Sequence, residues 1–365
     1  MKIPFLNLAQ LNHSIKAEID EAIQKVLLSG QLVGGDTVKS FEKNFADYHG
    51  AKHCISTGNG TDSLFAALKM IGVGPGDEVI TPAWSWISTS ETISLTGAKP
   101  MFADVDEKTF LLSAMDVEKK ITSQTKAVLA VHLYGQCCDM EALQILCTRH
   151  HLILIEDCAQ AHGTKRNDRM AGTFGNISSF SFYPTKNLGA LGDAGCLLTN
   201  DDAMALKLRR FVNHGGLSKD EHLMEGMNSR MDSMQAAVLN VKLKYLETWN
   251  ERRRAIASIY NTQLNNISDL KLPTEDKGNQ HVYHLYVIRT TRRHELKNYL
   301  AEKGIETMIH YPQALPFEPA YARFNFKAQD FPVAYQLQQQ VLSLPCNPMM
   351  MDEETEYICA MMKKY

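Results

Sequence analysis

The stretch TKAVLAVHLYGQCCDMEALQILCTRHHLILIEDCAQ, residues 125–160, contains two apolar runs on either side of a segment with helical spacing. The runs at 125–135 and 151–160 are almost continuously apolar, which is typical of parallel strands buried on both faces. Between them, residues 139–151 repeat their apolar positions at the spacing of a helix. This strand–helix–strand order predicts a parallel sheet covered by helices on both sides.

The same alternation extends in both directions from this stretch. Further strand-like patterns occur at 52–56, 77–83, 99–105, 176–184 and 194–200. Helical spacing is found between them at 60–72 and 85–97. The pattern therefore predicts an α/β fold whose large domain has a mostly parallel, seven-stranded sheet flanked by helices, with ligands bound at the carboxyl ends of the strands.

The chain changes character after residue 200. Two long helical stretches come first, and then a strand and two helices, at 201–215, 229–266, 281–289, 292–304 and from about Asp352. The proline-rich segment 311–324 is predicted to be a loop. Because 365 residues are too many for one simple core, we predict two domains. An N-terminal segment and the large domain occupy 1–245, and a smaller α+β domain occupies 246–365.

Composition gives no support for several classes of partner. The net charge is −3 without long runs of one sign, which does not favour nucleic acid or an anionic membrane surface. The eight cysteines lack the paired spacing of zinc sites, so we expect reduced thiols and no metal. The first residues are too polar for a signal peptide, and no stretch approaches the roughly 20 apolar residues of a membrane span. We expect a cytoplasmic protein.

A glycine-containing turn, STGNGTDS at 56–63, joins the first strand to a helix. Free backbone N–H groups and the positive end of the helix dipole make such a turn an anion site, typically for phosphate. An ordinary tight turn with a helix N-cap fits the segment equally well. Ser63 stands where a dinucleotide fingerprint would have its third glycine, so that fingerprint is incomplete.

Asp157 ends a buried apolar strand, with Gln160 and His162 just beyond it and predicted to face the same crevice. A carboxylate in that position must be solvated, paired or bound to a cation. A lone aspartate there commonly caps the next turn. Asp157 alone therefore does not indicate a function, and other groups near it are needed to do so.

In SSFSFYPTKNLGALGDAG, residues 178–195, Lys186 follows a buried strand and precedes small residues. Lysines usually extend to the surface, but a desolvated lysine has a lowered pKa and can attack carbonyl groups. A phosphate turn, Asp157 and Lys186 at one sheet edge are the three parts that a pyridoxal phosphate site needs. Trp84 is predicted to stack on the cofactor ring, and Trp86 to be a packing residue.

With these motifs the chain resembles the DegT/DnrJ/EryC1/StrS sugar aminotransferase family of fold-type-I pyridoxal-phosphate enzymes. The matching segments lie at 29–53, 56–64, 76–106, 155–163, 179–195 and 226–239. The most specific pair is IEDCAQAHG followed by FYPTKNLGALGDAG. The resemblance implies pyridoxal 5'-phosphate as the cofactor and a homodimer whose subunits share their active sites.

Individual roles are implied by the same resemblance. Lys186 corresponds to the Schiff-base lysine, Asp157 to the partner of the pyridine nitrogen and Gln160 to the contact of the ring hydroxyl. Trp84 occupies the stacking position. Phosphate ligands are implied at Gly60, Thr61, Ser181 and, from the neighbouring subunit, Asn228.

The implied reaction moves an amino group from L-glutamate to a keto sugar linked to a nucleotide diphosphate. Ser229, within GMNSRMDSMQAAVL, is similar to members that act at C3, so a 3-keto sugar carried by dTDP or UDP is favoured. Substrate contacts are implied at His310, Tyr311 and Arg230. A packed His–Tyr–Pro turn and a structural ion pair are equally ordinary interpretations of these residues.

Three alternatives stay open at this point. The first is a C4-aminotransferase that acts on a 4-keto-6-deoxy nucleotide sugar. The second is a regulatory protein that binds pyridoxal phosphate without turnover. A dinucleotide-dependent dehydrogenase has the least support, because no complete fingerprint follows any strand. Lys186 also argues against the family branch that has a histidine in its place and dehydrates its substrate.

Overall fold

The computed structural model describes all residues, 1–365. Its helices are α1 (Leu8–Ser14), α2 (Lys16–Ser29), α3 (Gly35–His49), α4 (Gly60–Met70), α5 (Ser88–Leu95), α6 (Ala114–Lys120), α7 (Met140–Arg149), α8 (Asp202–Phe211), α9 (Ser233–Leu243), α10 (Leu246–Leu264), α11 (Arg293–Glu302), α12 (Pro332–Gln340) and α13 (Asp352–Lys364). Its strands are β1 (His53–Thr57), β2 (Glu78–Pro82), β3 (Lys99–Ala103), β4 (Thr125–Val131), β5 (Ile153–Asp157), β6 (Lys165–Arg166), β7 (Arg169–Met170), β8 (Ile177–Ser181), β9 (Gly195–Thr199), β10 (Asn279–Gln280), β11 (Tyr286–Arg289) and β12 (Val341–Leu344).

A seven-stranded sheet in the order β1-β9-β8-β5-β4-β2-β3 forms the centre of the molecule. Strand β9 is antiparallel to both of its neighbours, and every other pair in the sheet is parallel. All seven strands predicted between residues 52 and 200 belong to it, which confirms the predicted α/β fold. The apolar runs that predicted β4 and β5 are buried because helices cover both faces of the sheet.

The register of the sheet brings the predicted site residues to one edge. Val131 of β4 lies beside Asp157 of β5, and Asp157 lies beside Ser179 of β8. Helix α4 begins at Gly60, directly after β1, and packs against β8 and β9. The start of α4 and the ends of three strands therefore face the same space.

The C-terminal part of the chain has its own core. Strands β11 and β12 pair in antiparallel orientation, and buried residues of α10, α11 and α13 pack together beside them. Ile3 joins this core and forms a bridge with Ile305, so the first residues of the chain lie against its last third. The division into domains at 245 and 246 stays a prediction.

Several local predictions need correction. The stretch 229–266, predicted as one helical segment, consists of α9 and α10 with a break at Lys244 and Tyr245. The predicted loop 311–324 contains two short 3-10 helices, Leu315–Phe317 and Pro319–Phe324. None of the helices combines the length and the apolar composition that crossing a membrane requires.

Candidate active site

A cavity of about 710 Å³ lies beyond the carboxyl ends of β4, β5 and β8. Most of the residues predicted for the site line it, namely Gly60, Thr61, Asp157, Gln160, Ser181, Lys186, His310 and Tyr311. They come from separate parts of the chain. Some lie at the edge of the sheet, others at the start of α4, and the last two are His310 and Tyr311. Gly60 and Thr61 of the glycine-containing turn, Asp157 and Lys186 thus border one cavity.

The start of helix α4 is shaped for an anion. Gly60 and Thr61 are its first two residues, so their N–H groups have no acceptor within the helix. Asn59 caps the helix by accepting a hydrogen bond from the N–H of Asp62 at 2.8 Å. A Cβ atom on Gly60 would lie 2.6 Å from the Cβ of Ser181, so only glycine allows the strand end to approach the helix this closely. Gly60, Thr61 and Ser181 all border the cavity.

Asp157 is a buried carboxylate whose two oxygens face different donors. Oδ1 accepts from the N–H of Ala159 and Oδ2 from the hydroxyl of Thr89, each at 3.1 Å. Burial raises the pKa of Asp157, while these donors and the charge of Lys186 oppose that rise. A buried carboxylate needs a positive partner to stay charged, and a cationic ring nitrogen next to Asp157 would be such a partner.

Lys186 lies at the tip of a tight loop. The N–H of Ala190 donates to the carbonyl oxygen of Phe182 at 2.8 Å and closes the loop. A Cβ on Gly189 would lie 2.3 Å from the carbonyl oxygen of Pro184, so the loop folds back on itself without room for a side chain. Burial lowers the pKa of Lys186 to about 8, although Asp157 acts in the opposite direction. Roughly a tenth of this amine is therefore uncharged at pH 7, and roughly half at about pH 8, so a usable share of nucleophile is present.

Gln160 connects the floor of the cavity to its far wall. Its Oε1 accepts from the N–H of Tyr134 at 2.7 Å, and its Nε2 donates to the hydroxyl of Tyr311 at 2.9 Å. Tyr134 also donates its hydroxyl to the carbonyl oxygen of His310. These bonds hold Tyr311 and His310 against the cavity, and burial lowers the pKa of His310 to about 4.

The two tryptophans exchange their predicted places. Trp84 is 1% exposed, donates its indole N–H to the hydroxyl of Tyr134 at 2.8 Å and does not line the cavity. Trp86 is 57% exposed and does line it, 5.7 Å between ring centroids from Tyr311. The chain leaves the strand after Pro82, so the alternation of side chains in β2 does not extend to these positions.

His162 also lies elsewhere than predicted. It is fully buried, and its ring packs against those of Phe180 and Phe182 with centroids 5.6 and 5.5 Å away. Sequence reasoning missed other residues of the cavity, including Ser88, Thr89, Tyr183 and His284. The run of small hydroxyl residues at 88–90 could have indicated Thr89, but no local pattern indicates His284.

Asn228 and Arg230 are exposed and do not line the cavity of their own chain. The guanidinium of Arg230 donates to Oδ1 of Asn228 at 3.0 Å. Between them, Ser229 is buried, donates to Oδ2 of Asp62 at 2.6 Å and accepts from the N–H of Gly58 at 2.9 Å. The exposed pair is thereby fixed to the start of α4, and its contribution to a neighbouring subunit stays a prediction.

The sequence model of the DegT/DnrJ/EryC1/StrS aminotransferase family matches residues 13–363. The chain belongs to this family. It is 43% identical over 363 residues to the dTDP-3-amino-3,6-dideoxy-alpha-D-galactopyranose transaminase of Aneurinibacillus thermoaerophilus, covering 100% of this chain and 99% of that one. A pleiotropic regulatory protein of Geobacillus stearothermophilus is 43% identical over 360 residues, covering 98% of this chain and 97% of the relative.

The fold of this aminotransferase also matches a solved structure. The crystal structure of DesV from S. venezuelae, in complex with a ketimine intermediate, superimposes with a TM-score of 0.98 at 40% identity. The match covers 100% of this chain and 98% of that one. Enzymes of this family depend on pyridoxal 5'-phosphate. The residues present fit that group, because an anion cradle, a buried carboxylate without a fixed cationic partner and an amine of lowered pKa border one cavity.

Proposed function

We propose that this aminotransferase moves an amino group from L-glutamate to C3 of a keto sugar linked to dTDP or UDP. The main support for this proposal is the single cavity in which Lys186, Asp157 and the start of α4 meet. The Aneurinibacillus relative is named as a transaminase of a dTDP-3-amino sugar. That name supports C3 as the carbon that receives the amino group and dTDP as a nucleotide that carries the sugar. Ser229, which is anchored to Asp62, is the sequence feature behind the choice of C3.

Bound pyridoxal phosphate supplies an electrophilic carbonyl carbon and a ring that accepts electrons. Asp157 is the residue that would hold the ring nitrogen protonated, and Gln160 would contact the ring hydroxyl. Gly60, Thr61 and Ser181 would bind the phosphate through two N–H groups and a hydroxyl. Trp86 would take the stacking role that was predicted for Trp84, because Trp86 borders the cavity.

Lys186 has two tasks in this proposal. Its uncharged amine would hold the cofactor, and the same amine would take up and return the proton at the substrate carbon. A positioned base of this kind is typically worth about 10²–10⁴-fold in rate. The lowered pKa, about 8, suits the amine to both giving and taking a proton near neutral pH.

The sugar substrate would lie against His310 and Tyr311. Nδ1 of His310 is 2.8 Å from the hydroxyl of Ser343, so the ring has a fixed orientation. A second cavity of about 460 Å³ adjoins the first and shares His284, His310 and Tyr183 with it. The two cavities together offer room for a substrate larger than an amino acid. Arg230 of a second copy would bind the diphosphate.

A homodimer is part of the proposal. Large apolar side chains are exposed at the cavity and elsewhere, namely Leu32, Val33, Trp86, Tyr183 and Leu191. Trp86 and Tyr183 are cavity residues that are 57% and 52% exposed, so a second copy seated there would complete the wall. The same copy would bring Asn228 and Arg230 to the site, where they would add phosphate and diphosphate contacts.

A sequential assay tests this function. The purified protein is loaded with pyridoxal phosphate and mixed with L-glutamate, and the visible absorbance of the cofactor is expected to fall. Keto sugars carried by dTDP or UDP, with the carbonyl at C3 or C4, are then added one at a time. Recovery of absorbance and a 3-amino product by mass and NMR analysis support the proposal, whereas a 4-amino product identifies a C4 enzyme.

A regulatory role without turnover is the second candidate, because one relative is named a pleiotropic regulatory protein. Both candidates bind the cofactor, so cofactor binding does not separate them. Transfer of nitrogen from ¹⁵N-labelled L-glutamate to any nucleotide sugar would reject the second candidate. A protein that keeps its absorbance unchanged with every donor and sugar would reject the first.

A further inference from the structure

The residue after Lys186 begins a buried chain of polar side chains. Asn187 donates through Nδ2 to Oδ1 of Asn250 at 2.8 Å and to the carbonyl oxygen of Val282 at 3.2 Å. Its Oδ1 lies 3.0 Å from Nδ1 of His284. Asn187, Asn250 and His284 are 4%, 0% and 8% exposed, so these hydrogen bonds are formed within the protein and away from bulk water.

Backbone carbonyl groups set the direction of every bond in this chain. Asn250 donates through Nδ2 to the carbonyl oxygen of His162 at 2.8 Å, and a carbonyl oxygen can only accept. The amide oxygen of Asn250 therefore faces Asn187, which must present its NH₂ group there and to Val282. The amide oxygen of Asn187 then faces His284. Because this oxygen can only accept a hydrogen bond, Nδ1 of His284 must carry the proton.

A neutral imidazole with its proton on Nδ1 has a lone pair on Nε2. Burial lowers the pKa of His284 well below its usual range, and the nearby Lys186, Arg253, His310 and His162 act in the same direction. Nε2 has no protein partner, yet it is not sealed inside the protein. His284 lines both cavities, so this acceptor lies where they meet.

We propose that Nε2 of His284 accepts a hydrogen bond from a hydroxyl group of the sugar and so positions that sugar beside Lys186. The inference rests on the proposed function and adds a substrate-binding residue to it. A neutral acceptor favours hydroxyl donors and disfavours the oxygens of a diphosphate, which an imidazolium would attract. The sugar, and not the diphosphate, would therefore occupy the junction of the two cavities.

Two substitutions separate the two nitrogens of the ring. In His284→Asn, the amide nitrogen can replace Nδ1 and keep the bond to Asn187, but the acceptor at Nε2 is lost. In His284→Gln, the longer side chain places an amide oxygen near the position of Nε2 and gives up the bond to Asn187. The pair thus distinguishes loss of the acceptor from disturbance of the loop that carries Lys186.

The experiment compares steady-state kinetics of the loaded parent and variants with the keto sugar that the parent accepts. For His284→Asn we expect KM for the sugar to rise about three- to tenfold, as for one lost hydrogen bond. The rate of absorbance loss with L-glutamate should change less than twofold. His284→Gln should recover part of the sugar affinity. A sugar analogue without the bonded hydroxyl should bind the parent and His284→Asn equally well.

An unchanged KM in His284→Asn, or an equal loss in the glutamate step, would overturn the inference while leaving the proposed function intact. If the parent accepts no keto sugar, the proposed function is wrong, and the inference about His284, which depends on it, is wrong as well. An independent readout is the ¹⁵N spectrum of the histidine-labelled holoenzyme, with His284 assigned by its loss in His284→Asn. We expect a neutral ring protonated on Nδ1 at pH 7, and a proton on Nε2 would refute the argument.

Discussion

Nζ of Lys242 donates to the carbonyl oxygen of Gly189 at 2.8 Å, three residues after Lys186. Lys242 is 1% exposed and forms no salt bridge, so burial lowers its pKa to about 8. A side chain on α9 thus fixes the loop that presents the reactive lysine, and it does so at an electrostatic cost. The pair therefore links the stability of the fold to the placement of Lys186.

Replacement of Lys242 by Met should remove a pH dependence of stability. The folded protein holds the proton of Lys242 less tightly than the unfolded chain, whose ordinary value is 10.5. The parent should therefore gain stability as the pH rises from about 8 to 10.5, by roughly 3 kcal/mol at most. Lys242→Met should lack this gain. Urea unfolding of both apoproteins across that range measures the difference, and parallel curves would contradict the lowered pKa.

Lys186→Ala should bind pyridoxal phosphate without a covalent link and turn over about 10²–10⁴-fold more slowly. The start of α4 and Asp157 remain in place in this variant, so non-covalent binding should persist. Borohydride treatment followed by mass spectrometry should attach the cofactor to the parent and not to the variant. Lys186→Arg is the matched control, because it keeps a cation but not a usable nucleophile. Activity of Lys186→Ala close to that of the parent would end the assignment.

The rate of covalent attachment of pyridoxal phosphate to the apoprotein should follow the ionisation of Lys186. Only the uncharged amine attacks, and its fraction increases as the pH rises through about 8. Attachment should accelerate from pH 6 and level off above about pH 8. Stopped-flow absorbance on the parent gives the profile, with Lys186→Ala as the blank. A rise that continues towards 10.5 would mean that burial does not lower this pKa.

Asp157→Asn should leave a folded protein with little activity. Burial raises the pKa of Asp157, so its charged form costs stability in the apoprotein at neutral pH. Asparagine keeps the size of the side chain without that charge, and the thermal midpoint of the apoprotein should stay equal or rise. Activity should fall at least 10²-fold, because a protonated ring nitrogen loses its partner. Activity within a few-fold of the parent would refute the ring-nitrogen role.

Local patterns predicted the framework of the site well. The runs that form β4 and β5 were found because parallel strands buried on both faces are almost continuously apolar, and the other strands followed from the alternation around them. Asp157 and Lys186 could be placed together because strand ends of one sheet share an edge. What the sequence could not provide is contact between distant residues, such as Asn187 and His284, which are 97 positions apart. The proposed roles of Asn228 and Arg230 involve a second copy, whose contacts no local pattern within one chain describes.

The reversed places of Trp84 and Trp86 give a matched pair of substitutions. Both residues follow β2 within four positions, and the irregular backbone after Pro82 decides which one faces the cavity. Trp84→Ala removes a buried indole and should lower the free energy of unfolding by about 3–5 kcal/mol. Trp86→Ala removes a 57% exposed side chain and should change that free energy little. Its effect should be weaker binding of pyridoxal phosphate, because the ring loses its stacking partner.

Two measurements are made on both variants, Trp84→Ala and Trp86→Ala. Equilibrium unfolding of the apoproteins gives their stability, and titration with pyridoxal phosphate gives their cofactor affinity. The expected result is that stability separates Trp84→Ala from the parent, and cofactor affinity separates Trp86→Ala from it. Trp86→Phe is the control for the second effect, because it keeps an aromatic face at the cavity. If Trp84→Ala were stable and lost the cofactor instead, the original prediction from the sequence would be right. Trp84, and not Trp86, would then form the wall of the cofactor site.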